Sequence, residues 1–118
     1  MLIRYDYLDS ILSDSFFKFE PAPDFRHSAS ELMDLLDLES FEEIDQAVQR
    51  AIKGCQAMGI PVNRNFKQVF RYNGDCLEKD YKLTSLASYL VIINADPGNT
   101  KVAQTQLIYY MKLNQPTN

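Results

Sequence analysis

The chain has 118 residues, 46% apolar and 24% charged, which is the size and mix of one soluble globular domain spanning 1–118 with a modest core. No stretch approaches the roughly 20 apolar residues of a membrane span, and the start lacks a basic-then-apolar signal pattern, so a cytoplasmic protein is expected. The net charge of −4 is unevenly spread: residues 1–45 hold twelve acids against three bases, and residues 46–82 hold seven bases against three acids. Such asymmetry marks either an acidic and a basic face or simply solvated surface. Cys55 and Cys76 have no metal-ligand spacing and are expected as reduced thiols.

Residues 4–16 place apolar side chains at helical spacing, which predicts a short amphipathic helix. A small amino-terminal hairpin is expected next, pairing a strand at 16–19 with one at 25–27 across the break Glu20-Pro-Ala-Pro-Asp24. Ser28-Ala-Ser-Glu31 and Ser40-Phe-Glu-Glu43 both fit the capping box that opens a helix. Leu32, Leu35 and Leu36 supply the apolar stripe of the first helix. Phe41, Ile44, Val48, Ala51, Ile52 and Cys55 supply that of the second, which Gly59 and Pro61 should end. Two capped helices in tandem raise a helix-turn-helix reading. The second helix, however, begins with Glu42, Glu43 and Asp45, and carboxylates there oppose docking on phosphates. Structural packing is the better assignment.

Asn73-Gly74 between alternating segments predicts a β-hairpin over 66–81, because both central residues of a two-residue turn need positive φ. That loop would pair Tyr72 with Asp75, Phe70 with Leu77, Phe66 with Tyr81 and Lys67 with Asp80, and set Arg71 opposite Cys76. The run from Leu83 to Ile93 is apolar nearly all round, the mark of a buried helix or strand. Thr84 can cap it, Asn94-Ala-Asp-Pro97 can stop it, and Pro97-Gly98-Asn99 reads as a turn. Val102, Ala103, Gln106, Leu107, Tyr110 and Leu113 then recur at helical spacing. A frayed tail is expected at 114–118. The sum is an α+β fold, predominantly helical: about five helices, one β-hairpin (66–81) and the small amino-terminal hairpin, packed on a central helical hairpin (83–113).

Motifs for chemistry are lacking. His27 is the single histidine, so a zinc ligand set is missing, and no Gly-rich phosphate loop or nucleophile elbow is present. Neither catalytic residues, a metal, a cofactor nor a small-molecule substrate is expected, and the chain is not read as an enzyme. Most of the seven tyrosines and seven phenylalanines fall on core faces rather than forming a base-stacking platform.

Several stretches resemble the DNA-damage-inducible protein D family: His27-Ser-Ala-Ser-Glu-Leu-Met33, Phe41-Glu-Glu-Ile-Asp-Gln-Ala-Val48, Asp80-Tyr-Lys-Leu-Thr84 through Ala87-Ser-Tyr-Leu90, Asn94-Ala-Asp-Pro97 and Ala103-Gln-Thr105. That family is itself similar to the amino-terminal domains of phage antirepressor and Bro proteins. The resemblance covers residues 25–112 and implies a non-enzymatic regulatory module, prokaryotic or phage, associated with DNA or with proteins of DNA repair. Two functions follow as expectations. One is nucleic-acid binding through a basic hairpin face, with Arg64, Lys67, Arg71, Lys79 and Lys82 on phosphates. The alternative is a protein-interaction module, in which the acidic half or the tyrosine-rich last helix meets a partner or a second copy in a homodimer.

Overall fold

The computed structural model describes residues 22–114. The helix expected over 4–16, the strand over 16–19 and residues 115–118 of the tail lie outside them. Among the described residues four helices and three strands follow one another, an α+β arrangement. No described helix is long and apolar enough to cross a membrane.

Strand β1 (His27–Ser28) runs directly into α1 (Ala29–Leu35), because Ser28 both ends the strand and caps the helix, its Oγ accepting from Glu31 N at 3.2 Å. Leu32 and Leu36 are buried, whereas Leu35 faces solvent. Helix α2 (Phe41–Met58) starts differently from the expected capping box. Ser40 makes no side-chain cap bond, and the Glu43 carboxylate instead accepts from Glu39 N at 3.2 Å. The inward face is as the spacing predicts, with Ile44, Val48, Ala51 and Cys55 buried and Phe41 and Ile52 partly so. Gly59 ends α2 at φ +74°, and Ile60 N donates to Cys55 O at 2.9 Å.

Strands β2 (Phe66–Tyr72) and β3 (Leu77–Leu83) form the expected antiparallel hairpin in a register two residues away from the predicted one. Tyr72 pairs with Leu77, Phe70 with Lys79 and Phe66 with Leu83. The Asn73 side chain is the reason: its Oδ1 accepts from Asp75 N and Cys76 N, both at 3.0 Å, and this closes a four-residue loop over 73–76. A shift of two keeps each side chain on its predicted face and changes only its partner. Lys67 therefore faces Lys82 rather than Asp80, and Arg71 faces Glu78 rather than Cys76. The sheet order is β1-β3-β2: β1 is two residues long, shares only His27 with the strand expected at 25–27, and pairs with the end of β3, His27 with Leu83.

Thr84 accepts from Ala87 N at 3.2 Å and opens α3 (Ser85–Ile93), which Asn94 ends as expected. After the turn at Pro97-Gly98, Asn99 caps α4 (Thr100–Leu113) by accepting from Lys101 N and Val102 N. Of the helical hairpin expected to be central over 83–113, only the first helix is central. Helix α3 is central, burying Ala87, Ser88, Val91 and Ile92 alongside α2 and β3, but α4 buries only Val102. Gln106 pins α4 by donating to Ile92 O and Ala95 O, and Tyr109 meets Tyr89 edge-on at 5.6 Å. Leu107, Tyr110 and Leu113, which recur at helical spacing, are exposed.

A Cβ at residue 59 would meet nothing within 4 Å, so a Gly59→Ala penalty can come only from the positive φ. Urea unfolding should show a loss of about 1 kcal/mol with an unchanged denaturant slope.

Candidate functional site

The root of the hairpin is a junction of charged and polar groups that the alternation of residues along β3 does not announce. Asp80 lies on the polar face of that alternation yet is only 2% exposed. Its burial follows from topology. Strand β1 pairs with β3 for two residues and then turns away as α1, leaving the next outward amide of β3, that of Tyr81, without a strand neighbour. The Asp80 carboxylate fills that position. Its Oδ1 accepts from Tyr81 N at 2.7 Å and from Ser30 N, in the first turn of α1, at 3.1 Å. Its Oδ2 accepts from Ser30 Oγ at 2.7 Å and pairs with Arg71 Nε at 2.8 Å. One carboxylate thus joins β3, β2 and the start of α1.

On the opposite face of β3, Tyr81 is stacked on Phe41 at 6.2 Å and points its hydroxyl at α2, donating to Asp45 Oδ1 at 2.8 Å. Gln49 donates to the Tyr81 oxygen at 3.0 Å, and Lys79 Nζ lies 3.0 Å from Asp45 Oδ2 and 5.5 Å from the Tyr81 ring centre. Burial raises the Asp45 carboxyl, but hydrogen bonds from Tyr81, Lys79 and Gln49, with the Lys79 charge, outweigh it and hold it below its usual range. The Asp45 hydrogen bond raises Lys79, while burial first and Asp45 second raise Tyr81.

A cleft of about 560 Å³ opens beside this junction, lined by Ser30, Met33, Phe41, Arg71, Glu78, Lys79 and Asp80. A second, of about 610 Å³, lies between α2 and the α3–α4 turn, where the Arg50 guanidinium donates to Asn94 O and Glu43 and Asp96 form part of the wall. Among the described residues no three or more His, Cys, Asp or Glu are grouped to hold a metal.

The five cations proposed from the sequence are not brought to one face. Lys67, Arg71 and Lys82 share a face of the ribbon, Lys79 lies on the other, and Arg64 sits in the loop before β2. Arg71 and Lys79 are each engaged by a carboxylate, whereas Lys67 and Lys82 are directly opposed and exposed. His27 lies at the sheet margin with Nε2 at 3.5 Å from Ser85 Oγ, Cys55 is buried, and Cys76 is exposed in the hairpin loop. The apolar face of the ribbon continues past the junction, where Phe70, Tyr72 and Leu77 are 60%, 72% and 65% exposed.

Replacing Asp80 by Ala strands the Ser30 and Tyr81 amides and the Arg71 charge, and should remove about 2–4 kcal/mol of stability in urea unfolding. Because the Asp45 carboxyl is lowered by folding, its contribution is present above its unfolded value near 3.8 and is lost as pH falls through the folded value. The stability gap between wild type and Asp45→Asn should therefore be open at pH 6 and close on acidification below that value. In comparisons with known proteins, no family model, no curated protein and no solved structure matches this chain.

Proposed function

We propose that the chain is a cytoplasmic, non-enzymatic module whose work is to bind another protein. The observation that supports this most is the placement of large apolar side chains in solvent. Phe70, Tyr72 and Leu77 form one group at the end of the hairpin, and Leu107, Ile108, Tyr110, Met111 and Leu113 on α4 are half or more exposed. Burying such groups drives protein association, and aromatic anchors dominate interface energies. The resemblance to the DNA-damage-inducible protein D family favours a regulatory setting, with a partner drawn from proteins that act on DNA. Direct binding of nucleic acid draws support from Lys67 and Lys82 alone among the ribbon's cations, since Arg71 and Lys79 are already matched by acids.

Two experiments separate the readings. In-cell crosslinking should capture a protein with the wild-type chain and lose it with Phe70→Ser/Tyr72→Ser or with Leu107→Ser/Met111→Ser, both of which should retain wild-type unfolding to within about 0.5 kcal/mol because the sites are exposed. Binding to single- and double-stranded DNA should be weak across a salt series. Tight, steeply salt-dependent DNA binding that Lys67→Glu/Lys82→Glu abolishes would overturn the proposal.

A further inference from the structure

We infer that the outer edge of β2 is a docking site for an extended peptide strand in which acidic and apolar residues alternate. This rests on the protein-interaction reading and adds to it a place and a partner chemistry. The hydrogen-bond pattern identifies the edge. Thr84 N donates to Asn65 O at 3.1 Å and Asn73 N to Cys76 O at 3.2 Å, and both pairs belong to the β2–β3 register. In an antiparallel ladder, hydrogen-bonded pairs alternate with pairs whose backbone groups point away. Lys67, Val69 and Arg71 therefore bond inward to β3, and Phe66, Gln68, Phe70 and Tyr72 direct their N–H and C=O groups outward. The Phe66 N–H is taken by Val62 O at 2.8 Å. Gln68, Phe70 and Tyr72 are exposed, β2 is an end strand of the sheet, and no described strand pairs with its outer side. Among the described residues, three donors and four acceptors are left in a row about 20 Å long, enough for a partner strand of five to seven residues.

The two faces of β2 determine what side chains that strand brings. On one face it would meet Phe70 and Tyr72, with Leu77 beyond them, and apolar residues fit there. On the other it would meet Lys67 next to Lys82. These two cations are opposed across the hairpin with no acid between them, an unfavourable pair that a carboxylate in the arriving strand would relieve. A second copy is a poor occupant. Antiparallel pairing of two β2 strands about Val69 keeps odd-numbered residues on a common face and would set each Lys67 opposite the other copy's Arg71, with no new acid beside it. The same charges that discourage self-pairing select an acidic strand.

The test uses the full chain, isotope-labelled, with an acetylated heptapeptide of alternating Glu and Val/Phe as probe. A peptide of equal composition but shuffled order, one with Lys in place of Glu, and a single-stranded oligonucleotide serve as controls. The alternating acidic peptide should shift the amide resonances of Gln68, Phe70 and Tyr72 and slow their exchange. Lys67→Glu should weaken it by about fivefold or more, since it removes one charge pair and adds a repulsion. The shuffled and basic peptides should do neither. Absence of shifts at these amides overturns the inference. Shifts confined to α4 also overturn it while leaving the protein-interaction reading in place. Oligonucleotide binding at the same amides with a steep salt dependence overturns both.

Discussion

The joining of β3, β2 and the start of α1 depends on one carboxylate being where a strand would otherwise be. β1 is two residues long because the chain turns at Ser28 from sheet to helix, and a turn that early leaves a backbone donor of β3 without a neighbour. Buried donors without partners are rare because each carries a desolvation penalty. Asp80 meets it from within β3 itself and uses its remaining lone pairs on the helix start and on Arg71. The start of a helix carries partial positive charge, so an anion suits that position. Asp80 thereby fixes α1 against the sheet and Arg71 against the ribbon in a single step.

With the root held, the rest of the hairpin can project. Tyr81 and Phe66 are the last large side chains of the ribbon that the core covers. Beyond them Gln68, Phe70, Tyr72 and Leu77 face solvent. The Asp45–Tyr81–Gln49 contacts and Lys79 hold the opposite face of β3 to α2, so the two faces are anchored by separate sets of groups. Among the described residues the outer edge of β2 has no strand neighbour, and a strand of the kind inferred above would meet a β2 already ordered by its pairing with β3. Helix α4 is tied by Val102, Gln106 and Tyr109 at its inner side, and its outer apolar residues are exposed.

What could be seen in the residues beforehand divides along local and non-local lines. Ser28, Thr84 and Gly59 act through atoms three to five residues away, and their roles were visible in the residues alone. The hairpin was visible too. Its register was not, because Asn73 can serve either as the first residue of a tight turn or, through its side chain, as the closure of a longer loop. Periodicity marked the stripe Leu107, Tyr110 and Leu113 as one face of a helix but could not say whether anything covers that face. Asp80 was hidden for a related reason. In Leu77-Glu-Lys-Asp-Tyr81 it occupies a polar position like that of Glu78, and only the departure of β1 from the sheet buries it. Counting cations likewise suggests one basic face, whereas strand alternation puts Lys79 on the face opposite Lys67, Arg71 and Lys82, and carboxylates of β3 and α2 engage Arg71 and Lys79.

Residue-by-residue amide hydrogen exchange of the free protein tests the anchored root and the open edge together. The amides of Ser30 and Tyr81 should exchange as slowly as those of the core. Along β2, protection should alternate, with Lys67, Val69 and Arg71 slow and Gln68, Phe70 and Tyr72 fast. Uniform protection through Gln68–Tyr72, or rapid exchange at Tyr81, would contradict the account.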